Sequence, residues 1–116
     1  MISNNKYNEN ISMSREKQSY CIILPVTDET ISLKKTIEII LKNNKKYIKE
    51  IIIVSSKIVT TKAALKVIIS EKLMHKNIIK HHIQQKPFIG GAIEEGFNLS
   101  SSTHTIMMAS DLETDP

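Results

Sequence analysis

The chain has no tryptophan, and its three tyrosines and two phenylalanines leave aromatics at 4% of 116 residues. Aliphatic side chains must therefore build whatever core exists. A basic surface interleaved with aromatics is missing too, so a nucleic-acid partner has no footing in the sequence. The single cysteine, Cys21, excludes an internal disulfide and a Cys-based zinc cluster. Its place beside Ile22 and Ile23 reads as a buried, inert thiol. No stretch nears the roughly 18 consecutive apolar residues of a spanning helix, so no membrane span is expected. The polar first twenty residues contain no apolar h-region of a signal peptide. A cytoplasmic protein, free or at the cytoplasmic face of a membrane, is the expectation. No internal repeat is evident.

What is present is unevenly distributed. The net charge is +4, but residues 34 to 86 hold 13 of the 16 basic side chains, while Glu94 to Pro116 holds five acidic residues and no basic one. The scattered lysines read as solvated helix faces. The acidic end, MMASDLETDP, is different: Asp111, Glu113 and Asp115 crowd together directly after an apolar run. Carboxylates that close repel one another unless a cation neutralises them.

Residues 1–19 lack periodicity and read as a flexible leader. YCIILPV is a short apolar run ended near Pro25, suited to a strand buried on both faces. Leu33, Ile37, Ile40 and Leu41 then recur at helical spacing after several possible caps in TDETIS. EIIIVSS is a second buried strand. TTKAALKVIISEKL predicts a helix capped by Thr60 or Thr61, with Ala64, Leu65, Ile68 and Ile69 inward. NIIKHHI is a weaker third strand, QQKPFIGG a loop, GAIEEGFNLS a short helix with Ala92, Ile93, Gly96 and Phe97 inward, and THTIMMAS a fourth strand. The alternation predicts an α/β, Rossmann-like fold: a mainly parallel sheet with helices on both faces. Ligands of such sheets bind beyond the carboxyl ends of the strands, here PVTDE, SSK and ASDLETD.

Those ends supply the candidates. If the fourth strand stays extended, Asp111 and Glu113 project to one side, and two hard oxygen ligands suit Mg²⁺ or Mn²⁺. Asp111 is expected at the end of a central strand; Asp115 before Pro116 reads better as a helix start. Thr27, Asp28 and Glu29 suit either ribose or base contacts or the capping of the next helix. Gly90 and Gly91 open a helix where backbone N–H groups can approach a phosphate, with Gly96 allowing close packing. The spacing is neither a Walker loop nor GxGxxG. His75, His81, His82 and His104 fit no metal spacing and default to surface or edge positions, with His81 and His82 on opposite faces. No GxSxG and no Ser/His/Asp arrangement supports nucleophilic hydrolysis.

Taken together, CIILPVTDETISLKKTIEIIL, EIIIVSS, FIGGAIEEGF and IMMASDLETDP resemble the nucleotide-sugar-binding half of family-2 inverting glycosyltransferases of the GT-A fold, the group with dolichol-phosphate mannose synthase-like enzymes. The similarity spans roughly residues 20 to 116 and is most specific over the last ten. It implies that Pro25, Thr27 and Glu29 help hold the nucleoside, that Ser55 and Ser56 stand where the family usually has an acidic pair reading the base, and that Gly90 and Ala92 belong to the loop before the third helix. The family's Asp-x-Asp motif falls on Ala109, Ser110 and Asp111, so only its second acid is present, with Glu113 at a further metal-associated position.

The implied chemistry is transfer from a nucleotide-diphosphate sugar, with Mg²⁺ or Mn²⁺ at Asp111 and Glu113. The family's general base and acceptor site follow the metal motif, so the expectation is a donor-binding half that transfers no sugar by itself. Self-association, or a complementing chain, goes with that. Two other readings stay open. Sugar-phosphate nucleotidyltransferases use related sheets, but VTDETISL lacks their Gly-rich basic loop; a non-catalytic Mg²⁺-binding doubly wound module is the other.

Overall fold

The computed structural model describes residues 18–110. Four strands alternate with three helices: β1 (Tyr20–Pro25), α1 (Ile31–Asn44), β2 (Ile48–Ser55), α2 (Lys62–Met74), β3 (Ile79–Ile83), α3 (Phe88–Leu99) and β4 (His104–Met107). The strands form one sheet in the order β3-β2-β1-β4, with every pairing parallel. The α/β, Rossmann-like architecture expected from the sequence is present. Among the described residues no helix is long and apolar enough to cross a membrane.

The side-chain period of the strands divides the core into two layers. Ile22, Leu24, Ile51 and Ile53 face α1 and α2, where Leu33, Ile37, Ile40, Leu41, Ala64 and Ile68 meet them. Cys21, Ile23, Ile52 and Val54 face the other way and pack with Ala92 of α3. Helices thus cover both faces, and the two central strands are apolar on both sides, as parallel sheets require. Burial pushes the Cys21 thiol up to about 11, in keeping with an inert side chain.

Several details differ from the sequence reading. Phe88 opens α3, so Gly90 and Gly91 lie inside its first turn and not in a preceding loop. Phe97 is exposed, because Gly96 occupies the contact with the sheet: a Cβ there would fall 2.8 Å from Ile23 Cδ1. In α2 the inward row is Ala64, Ile68 and Glu71, and Ile69 points to solvent. Its cap is Thr61, whose hydroxyl accepts the Ala64 N–H at 3.1 Å.

β4 is an edge strand among the described residues, not the central strand expected before Asp111. Its partner β1 binds β2 on the other side, and Ile106 and Met107 remain 44% and 41% exposed. An apolar open edge of this kind templates pairing with another chain. The protein is expected to self-associate at high concentration, and Ile106→Lys to shift it toward monomer in light scattering. A wild-type chain that stays monomeric at every concentration would contradict this.

Candidate functional site

An open cleft of about 1090 Å³ lies over the carboxyl ends of the strands, where α/β sheets place their ligands. Three connections build its walls: β1–α1, β2–α2 and β3–α3. Hydrogen bonds between and within these loops fix their positions.

The first two loops are stitched together. Pro25 has no N–H to extend the ladder, and Val26 takes over, donating to the Val54 carbonyl at 2.9 Å. The buried Thr60 hydroxyl donates to the Val26 carbonyl at 2.8 Å and accepts the Ser56 N–H at 2.7 Å. The Thr61 N–H donates to the Thr27 carbonyl at 2.8 Å. Ser56 Oγ accepts from the N–H groups of Ile58 and Val59, at 3.1 and 3.3 Å. Glu29 folds back so that its Oε1 accepts the Thr27 N–H at 2.8 Å.

The third loop is held at both ends. The Gln84 side-chain amide donates to the carbonyls of Lys86 and Phe88, at 2.7 and 2.9 Å. From α3, the Glu95 carboxylate accepts the N–H groups of Gln85 and Lys86, the latter at 2.7 Å, and meets His82 Nε2 at 2.6 Å. The Lys86 and Gln85 backbone bonds and the His82 contact hold the Glu95 carboxyl well below the ordinary range, at about 2. The loop ends on Phe88, whose φ of +66° is the left-handed conformation that bulky side chains avoid.

Of the residues singled out from the sequence, Pro25, Thr27, Glu29, Ser56 and Ala92 line the cleft. Ser55 and Gly90 do not. Ser55 is buried, and its hydroxyl lies 2.7 Å from His81 Nε2, tying β2 to β3. Its hydroxyl is committed to His81 and the residue does not border the cleft, so the pair offers no nucleophile there. Burial first, then the charges of Lys72 and His82, hold the His81 imidazole below its ordinary value. His81 and His82 do turn to opposite faces, toward Ser55 and Glu95. His104 stacks on Tyr20 at the far edge of the sheet, with ring centroids 5.0 Å apart.

Asp111, Glu113 and Asp115 lie outside the described residues. Among the described residues no cluster of three or more His, Cys, Asp or Glu side chains is placed to hold a metal ion. The chain does reach the cleft immediately before Asp111, where Ala109 and Ser110 line it. The Ser110 hydroxyl is fully buried and, among the described residues, has no hydrogen-bond partner.

The sequence reading passed over Lys57, Ile58 and Phe88, which also line the cleft. One signal was available: the apolar pair Ile58-Val59 sits in a loop between Ser56 and Thr60, where burial in a strand or helix does not account for it. Compared with protein-family models, curated proteins and solved structures, the chain matches none of them.

Proposed function

We propose that this chain is the nucleotide-sugar-binding part of an inverting glycosyltransferase of the GT-A type. The observation that carries the reading is the cleft itself. The sequence segments that resemble the family, around Thr27 and Glu29, Ser56, Ala92 and Ser110, converge on one concavity at the carboxyl edge of a parallel sheet. Its volume suits a ligand of nucleotide size. Thr27 offers a hydroxyl at the rim, and Lys57 an ammonium paired with no carboxylate among the described residues.

In this reading Thr27 and Glu29 orient the nucleoside and Lys57 opposes phosphate charge. Asp111 and Glu113 are the residues that would hold Mg²⁺ or Mn²⁺, which when bound neutralises charge on the leaving diphosphate. The chain lines the cleft at Ala109 and Ser110, immediately before Asp111 in sequence.

Calorimetric titration with UDP-sugar and GDP-sugar, each with and without Mg²⁺ or Mn²⁺, tests the proposal. Metal-dependent binding is expected in the wild-type chain and its loss in Asp111→Ala. Metal binding with no affinity for any nucleotide would refute the donor-site reading and favour a metal-binding module.

A further inference from the structure

We infer that the cleft seats the planar ring of a nucleotide by stacking on Phe88 and Ile58, with little discrimination between bases; this rests on the nucleotide reading above. Phe88 and Ile58 are the two most exposed large apolar side chains described, at 84% and 90%, and both border the cleft. Val59 and Ile89 beside them are more than half exposed. Exposed apolar groups scattered singly need no explanation, but these four lie together at one concavity.

They are also held in place. The β2–α2 loop presents Ile58 and Val59 after Ser56 Oγ has fixed both of their N–H groups. The β3–α3 loop presents Phe88 after Gln84 has fixed its carbonyl, and in a backbone conformation a phenylalanine adopts only when its surroundings enforce it. α2 and α3 pack on opposite faces of the sheet, so the two loops leave it in opposite directions and flank its carboxyl edge. The result is a pair of apolar walls set before any ligand arrives.

The occupant must match two kinds of lining. At Lys57 it needs oxygens or negative charge; between the loops it needs a flat apolar face. A nucleotide has both. Two polar side chains that border the apolar walls are committed elsewhere: Ser56 to backbone N–H groups and Gln84 to two carbonyls. Stacking accepts any base because every base has a π-face, whereas hydrogen-bond readout needs free partners.

The test compares UDP, GDP and inorganic pyrophosphate, all with Mg²⁺, against wild type, Phe88→Ala, Phe88→Trp and Phe88→Gly. UDP and GDP are expected to bind within about tenfold of each other and to weaken roughly 5- to 100-fold in Phe88→Ala, with pyrophosphate unaffected. Phe88→Trp should retain nucleotide affinity. Phe88→Gly removes the ring while suiting a positive φ, so it should lose nucleotide affinity without a lower melting temperature, which separates ring loss from unfolding. A preference above about 100-fold for one base, or Phe88→Ala binding like wild type, would overturn the ring seat and leave the nucleotide reading standing. A Phe88→Ala chain that loses only self-association would overturn it in favour of a second copy as occupant. If no diphosphate binds, the nucleotide reading falls and the ring seat with it.

Discussion

Glu50→Ala is expected to remove about 3 kcal/mol of folding stability, enough to lower the melting temperature by roughly 10 °C or more. Glu50 sits on β2 at the end of the sheet opposite the cleft, with only 1% of its side chain exposed. Its Oε1 takes the Lys80 ammonium at 2.8 Å; its Oε2 takes the Ser101 N–H and the Ser102 hydroxyl, each at 2.7 Å. Burial alone would raise the carboxyl, but Lys80, Ser102 and the Ser101 N–H outweigh it and hold the group at about 2, against an ordinary 4.5. That difference, at about 1.4 kcal/mol per unit, is the source of the 3 kcal/mol. Alanine would also leave the serine donors of the α3–β4 connection facing a void.

The pH dependence follows with a definite sign. A carboxyl depressed in the folded state contributes fully above its unfolded value and loses that contribution as pH falls from about 4.5 through about 2. Glu95 acts in the same window and direction. His81, held low, binds a proton more readily when unfolded, so it withdraws stability as pH falls below its ordinary 6.5. Wild type should lose stability steeply on acidification, whereas Glu50→Gln should start lower and show a flatter slope between pH 4.5 and 2. Equal slopes in urea titrations across that range would show that Glu50 is not held as described.

Glu50 also marks where sequence reading stops. The strands and helices were legible because apolar spacing encodes them: Leu33, Ile37, Ile40 and Leu41 are all buried, as their 3.6-residue recurrence requires. A glutamate within EIIIVSS gives no such signal. Its partners Lys80 and Ser101 are about 30 and 51 positions away, and only the parallel register brings them together. The candidate site was half legible for the same reason. The rule that ligands bind beyond the carboxyl ends of parallel strands finds Thr27, Glu29 and Ser56 from the sequence. It does not show that Ser55 turns inward to His81 while Ser56 borders the cleft, because alternation decides sides and one residue reverses it. Nor does it foresee β4 at the edge of the sheet formed by the described residues, since strand order is a property of crossovers and not of the strand's own residues.

The two adjacent glycines of α3 should respond oppositely to the same substitution. Gly90→Ala meets nothing within 4 Å and replaces a poor helix former with the best one, so it should be neutral or stabilise by up to about 1 kcal/mol. In Gly91→Ala the new Cβ would fall 2.3 Å from the Lys86 carbonyl oxygen and 2.6 Å from its carbon. Those are backbone atoms, and they cannot retreat freely. Gln84 holds the Lys86 carbonyl itself, while Glu95 holds the Lys86 N–H from the same helix that carries Gly91. Forcing the loop outward should cost about 2–3 kcal/mol, which outweighs the gain in helix propensity. Because the clash and the Glu95 tether act on one loop, the two should couple: Glu95→Ala frees the loop, so Gly91→Ala should cost less in that background than in the wild type. A double-mutant cycle by urea denaturation measures this directly. Additive effects, or a Gly91→Ala chain as stable as Gly90→Ala, would mean that the loop bearing Lys86 and Phe88 is not clamped onto α3 and that the cleft wall is free to move.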